Sequence, residues 1–192
     1  MYDEIFVMID VGRPVKDIQI DSNTSIEKIF QELSQSGGFE SVNLSDGLEI
    51  LTEMIPDDKC LKFISFVGAI VSTGLRGIIK DMMKNKWFDV GITTCGALDH
   101  DIARHFSHYN EGSFTMDDME LANQHIHRLG NVLVPMDSYG PLIEEKMTAF
   151  LEEEYAAGVR EMNTAEICKM IGKHLGEDSF LYWAYKNDIS IV

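Results

Sequence analysis

A chain of 192 residues with 45% apolar and 25% charged side chains can bury one substantial core, and it holds no run near the roughly 18 uncharged apolar residues of a membrane span. Its 32 acidic against 16 basic residues, a formal charge of -16, repel phosphate backbones, so nucleic acid is excluded as an expected partner and cationic ligands are favoured. Cys60, Cys95 and Cys168 are scattered without C-x-x-C spacing, which fits reduced thiols and neither a disulfide framework nor a zinc ribbon.

The start MYDEIFVMID opens on acids rather than the basic region of a secretory leader, so a cytoplasmic chain without a membrane partner is expected. Val15-Lys16-Asp17-Ile18-Gln19-Ile20 alternates apolar with polar as a half-buried strand does. Thr24 followed by Glu27 has the spacing of a capping box, and Ile26, Ile29, Phe30 and Leu33 follow at helical spacing as far as Gly37-Gly38. Leu44, Leu48, Leu51 and Ile55 share one face of a second helix, which Pro56 stops. Residues 1–58 therefore read as a helical N-terminal extension.

From Leu61 the pattern changes. Leu61-Lys62-Phe63-Ile64-Ser65-Phe66-Val67 is a short apolar run ending at Gly68, the signature of a strand buried on both faces. Leu75, Ile78, Ile79 and Met82 keep helical spacing, with Lys80, Lys84 and Lys86 toward the negative end of that helix, and Phe88 to Thr94 forms a second strand. Strand, helix, strand in this space is a parallel βαβ unit, so residues 59–192 are assigned to an α/β domain with a Rossmann-like parallel sheet and flanking helices. A helix from Leu98 to Phe106, a loop at residues 108–112, and helical segments near Met116 to Leu129, Leu142 to Tyr155 and Thr164 to Leu175 follow. A last helix opens at Asp178-Ser179-Phe180, and Ile189 to Val192 reads as one more buried strand. So narrow a sheet predicts that 59–192 is the first part of a larger α/β domain.

Both βα turns, Gly68-Ala69-Ile70-Val71-Ser72 and Thr94-Cys95-Gly96-Ala97, lie at carboxyl ends of strands, where open parallel sheets place their sites. Small residues there either let a ligand approach free backbone N–H groups or simply allow tight turns, and neither loop has the G-x-G-x-x-G fingerprint. His100, His105 and His108, with His125 and His127, lack zinc spacing, so no metal is expected. Cys95 at a helix start has the setting of a nucleophile without an identifiable base, and a small turn side chain is its other role.

Three segments in order, FISFVGAIVSTGLRGIIKDMMKNKWFDVGITTCGALDHDIAR, RLGNVLVPMDSYGPLIEEKM and FLYWAYKNDISIV, strongly resemble the deoxyhypusine synthase family, particularly its archaeal-looking members. PVKDI and SGGF fit the family's N-terminal region, so the resemblance covers almost the whole chain. It implies NAD-dependent transfer of the 4-aminobutyl group of spermidine, by way of an enzyme lysine, to one lysine of a hypusine-bearing translation initiation factor. It also implies active sites formed between subunits of a homotetramer. A polycationic amine suits an acid-rich protein.

Carried over by position, the resemblance assigns Ser72, Thr94, Cys95 and Gly96 to NAD and Asp99 and His100 to the amine, with Asp101 matching the aspartate that follows. Gly68 and Ala69 stand where eukaryotic members have serine and asparagine, Cys95 where many have alanine, and His100 where they have a second acid. The family's nucleophilic lysine belongs to a downstream segment rich in Gly, Asp, Ser and Trp that residues 1–192 do not contain. No catalytic residue is therefore assigned within them, and this polypeptide alone is expected to lack transferase activity. The leading expectation is an N-terminal part of the synthase, truncated or completed in trans by a C-terminal half. The alternatives are a homospermidine synthase-like enzyme passing the aminobutyl group to a free amine, and a non-catalytic subunit regulating a full-length synthase.

Overall fold

Residues 12–192 are described by a computed structural model, in which the chain divides into two compact units between Asp58 and Lys59. The acidic start at residues 1–10 lies outside the described residues.

In the first unit, α1 (Ile26–Ser36) packs on α2 (Ser41–Met54), and neither helix contains a buried residue. The cap of α1 is Ser25 rather than Thr24: Ser25 Oγ accepts from the Lys28 N–H at 3.1 Å. Thr24 is engaged in the turn before it, its Oγ1 accepting from the Asp21 N–H at 2.8 Å. Gly37 ends α1 with φ of 72°, a left-handed position that glycine adopts without strain. The strand expected at residues 15–20 is not formed. An isolated extended segment needs a ladder partner, and here side chains hold it instead, Arg13 donating to the Ser34 carbonyl and Lys16 to Gln35 Oε1 at 3.2 Å.

The second unit runs β1 (Phe63–Phe66), α3 (Gly68–Val71), α4 (Arg76–Lys84), β2 (Val90–Thr93), α5 (Cys95–Phe106), β3 (Asn110–Glu111), α6 (Asp118–Asn123), β4 (Ile126–Leu129), β5 (Val132–Pro135), a 3₁₀ turn at Met136–Ser138, α7 (Gly140–Ala156), α8 (Thr164–His174), α9 (Phe180–Lys186) and β6 (Ser190–Ile191). A three-stranded parallel sheet has the order β1-β2-β6, with Phe63 opposite Val90, Phe66 opposite Thr93 and Gly91 opposite Ile191. This is the α/β architecture, a small parallel sheet with flanking helices.

The sheet is covered on one face, which corrects the expectation that β1 is buried on both. Phe66, Met83, Ile171, Phe180, Leu181 and Ile191 belong to one buried cluster, whereas Phe63 and Ile92 on the other face are 54% and 45% exposed. Gly91 lies on the inner face against Ile191, whose Cδ1 would have to move from the 2.7 Å at which a Cβ there would meet it.

A second correction concerns residues 116–129. Only Asp118–Asn123 is helical, and Ile126–Leu129 is instead β4, paired antiparallel with β5 in a second sheet of order β3-β5-β4. Helix α6 stops where His125 adopts φ of 57°, and the β4–β5 hairpin turns on the two residues Gly130-Asn131, Gly130 at φ of 64°. β3 falls within the expected loop at 108–112. The helices expected near 142–155 and 164–175 are α7 and α8, and the last strand is β6. No helix among the described residues is long and apolar enough to cross a membrane.

Candidate functional site

The carboxyl ends of β1 and β2 deliver two helix starts side by side. Thr94 stands at the N-cap position of α5 but does not cap it; its Oγ1 accepts from the Gly68 N–H at 3.0 Å. The neighbouring Thr93 Oγ1 donates to the Phe66 carbonyl at 2.7 Å, a second tie between the strand ends. The two turns then touch backbone to backbone: a Cβ on Gly68 would come within 2.6 Å of the Gly96 carbonyl carbon. That contact gives Gly68 a packing reason. It also leaves the start of α5, a 12-residue helix, without a side-chain cap beside exposed Thr94 and Cys95.

Ser72, expected at the first turn, is 3% exposed, and its Oγ donates to the Ala69 carbonyl at 2.7 Å. Arg104 on α5 reaches across to the same turn, donating to the Val71 carbonyl at 3.0 Å and to the Thr73 carbonyl. Ser72 and Thr94 thus belong to turns tied together by Gly68 and by Arg104.

One turn into α5, Asp99 and His100 are half-buried and enter a cluster with two tyrosines. Tyr139, just before α7, donates its hydroxyl to Asp99 Oδ2 at 3.1 Å. His100 Nδ1 is 2.9 Å from the Tyr109 hydroxyl, and the His100 ring lies 5.3 Å from the Tyr139 ring. Burial holds His100 below the ordinary imidazole value, Asp99 opposing and Arg104 reinforcing that shift. Burial, then the Asp99 carboxylate, push the Tyr139 phenol up to about 12. Tyr109 is raised too, chiefly by burial. Both phenols therefore stay protonated at neutral pH, and Tyr139 acts as the donor to Asp99. Beyond His100 and Tyr139, a cavity of about 360 Å³ extends toward His127, Arg128, Leu129 and Val134 of the antiparallel sheet.

Asp101, matched by position only to the aspartate that follows, does not join this cluster. It is fully buried, its Oδ1 accepting from Arg76 Nε at 2.7 Å and its Oδ2 from Ser179 Oγ at 2.7 Å and the Leu181 N–H at 3.0 Å. Burial pushes the Asp101 carboxyl up, while Arg76, Ser179 and the Leu181 N–H pull it back. Two residues along a helix turn the side chain by roughly 200°, so Asp99 and Asp101 cannot share a site. His105 leaves the sequence cluster as well, bonding Asp178 Oδ1 through Nδ1 at 2.6 Å.

The histidines considered for metal, His100, His105, His108, His125 and His127, enter no group of three ligands at metal spacing among the described residues. Among the described residues the one group with metal-ligand spacing is Glu153, Glu154 and His174, where Lys173 Nζ already sits 3.0 and 3.1 Å from the two carboxylates. Tyr109, Tyr139 and Arg104 are the residues sequence reasoning did not assign to the site. Tyr139 lies 40 positions from Asp99, so no local spacing pairs them.

Comparison with known proteins gives a consistent result. The profile of the deoxyhypusine synthase family matches residues 28–192. A protein of Thermoplasma volcanium named as a probable deoxyhypusine synthase is 47% identical over 182 residues, 94% of this chain and 58% of that relative. One from Picrophilus torridus, named likewise, is 45% identical over 179 residues, 93% of this chain and 57% of its own length. The crystal structure of an Entamoeba histolytica protein assigned as a deoxyhypusine synthase superposes with a TM-score of 0.62 at 19% identity, covering 93% of this chain and 61% of that one. The chain thus spans under three fifths of the length of these curated relatives.

Proposed function

The chain belongs to the deoxyhypusine synthase family, and we propose that it supplies the cofactor- and amine-binding part of an NAD-dependent 4-aminobutyl transferase acting from spermidine onto a lysine of the hypusine-bearing translation initiation factor. The observation that carries this reading is the pair of helix starts held together by the Gly68 N–H bond to Thr94, with a carboxylate, Asp99, one turn away.

The residues present fit NAD. An α5 start without a side-chain cap, with exposed Thr94 and Cys95 beside it, offers N–H groups and small side chains to a pyrophosphate. Thr94, Cys95 and Gly96 would hold it directly, and the Ser72 turn, braced by Arg104, would shape the floor. Bound there, NAD would supply a hydride acceptor for oxidation of the amine carbon and, once reduced, a hydride donor for the new imine. Asp99 pairs with an ammonium of the polyamine. His100, held toward its neutral form, does not repel that cation as an imidazolium would. In this reading the nucleophilic lysine comes from a C-terminal half, and the working assembly is a homo-oligomer or a complex of two polypeptides in the cytoplasm.

Isothermal titration of the purified chain tests the binding role. Replacing Asp99 with Asn is expected to weaken spermidine at least about tenfold, the scale of one charge-assisted hydrogen bond, while NAD binding stays unchanged. Equal spermidine affinity in the two proteins would refute the amine-site assignment. A second reading, transfer to a free amine, is favoured by His100, held toward its neutral form where eukaryotic members have a second acid. Product analysis with the complete assembly separates the two.

A further inference from the structure

We infer that Tyr139 is a positioning residue for the amine site: its phenol holds Asp99 Oδ2 so that Oδ1 is presented to an ammonium of a polyamine. This rests on the amine-site reading of Asp99 and adds to it a residue from a distant element.

A single carboxylate on a helix surface has free rotamers, and ordering it costs entropy at the moment of binding. Here that ordering is built in. Tyr139 donates to Oδ2 at 3.1 Å, and among the described residues Oδ1 accepts no hydrogen bond. The phenol is itself fixed. Its N–H donates to the Met136 carbonyl at 3.3 Å, its carbonyl accepts from the Ile143 N–H at 2.9 Å, and neighbouring Ser138, buried, accepts from Ser107 Oγ at 2.7 Å. Its ring lies against His100, which Tyr109 holds from the other side. The Met136 N–H bonds the His125 carbonyl at 2.9 Å, so the α6–β4 turn also bears on the position of Asp99.

The choice of donor matters chemically. A lysine or arginine in this place would neutralise the carboxylate and compete with a cationic ligand, whereas a phenol orients the group and leaves its charge intact. With its pKa raised to about 12, Tyr139 remains a donor across the working range of pH.

The test is titration of the 192-residue chain with NAD and with spermidine in four forms: unaltered, Tyr139→Phe, Asp99→Asn and the double variant. Tyr139→Phe is expected to weaken spermidine about three- to tenfold and leave NAD unchanged. In the Asp99→Asn background it should have no further effect, because the group it orients is gone. Unchanged spermidine affinity in Tyr139→Phe, beside a loss in Asp99→Asn, overturns the positioning role alone. Parallel loss of NAD and spermidine marks a structural role and also overturns it. An unaltered chain that binds no spermidine, or an Asp99→Asn chain that binds it as well as the unaltered one, overturns the amine-site reading and this inference with it.

Discussion

Replacing Asp101 with Ala is expected to cost about 3–5 kcal/mol of folding stability, the scale on which removing one partner strands a buried charge. Arg76 is 7% exposed and gives Nε to Asp101 at 2.7 Å; its NH2 reaches Asp178 at a longer 3.3 Å, and Asp178 is half open to solvent. Without the Asp101 carboxylate the guanidinium keeps only that weaker pairing and a long 3.4 Å bond to the Asp101 carbonyl, and Ser179 and the Leu181 N–H at the start of α9 lose their acceptor. Asp101→Asn keeps one acceptor oxygen and should cost less. Urea unfolding followed by circular dichroism measures both; a loss below about 1 kcal/mol in the alanine variant would show that solvent reaches Arg76 and that the network is not a brace.

This aspartate shows where the sequence could be read and where it could not. The helix from Cys95 to Phe106 and the two parallel strands before it were legible because apolar spacing and βα chemistry are local. By position Asp99 and His100 were assigned to the amine and Asp101 matched only the aspartate that follows, and nothing local in three polar residues in a row says which of them share a site. Helical phase separates them: Asp99 goes to Tyr139, His100 to Tyr109, and Asp101 into the core against Arg76. Those partners lie 40, 9 and 25 positions away, and pairing over such distances is set by the fold.

The antiparallel sheet was missed for a different reason. His125 to Leu129 carries helical and strand spacing equally well, and the deciding signal was the Gly130-Asn131 pair just before the Val132-Leu133-Val134 run, a hairpin turn of two residues. The error had a consequence for the site, because the segment after β5 delivers Tyr139 to Asp99. The one-sided burial of β1 was illegible in another way. An uninterrupted apolar run signals two covered faces only when helices exist to cover both, and Phe63 and Val67 are more than half exposed in the described residues.

The second large effect is expected at Phe180, where truncation to Ala should cost about 3–5 kcal/mol. Its side chain is fully buried at the start of α9 and meets Phe66 edge to face, centroids 5.6 Å apart, within the cluster that contains Ile102, Ile171 and Ile191. A close-packed wall of this kind relaxes only partly around the gap, so a cavity term adds to the lost transfer energy. The loss should also travel toward the site. Phe66 is the last residue of β1, its carbonyl accepts the Thr93 hydroxyl, and two residues later the Gly68 N–H is held by Thr94. Loosening Phe66 should therefore speed hydrogen exchange at the Gly68 amide beyond what the global loss of stability explains. Phe63→Ala, on the open face of the same strand, is the matched control and should cost about 1 kcal/mol or less. Equal costs at Phe180 and Phe63 would mean that the covered face of the sheet does not hold the two turns in place.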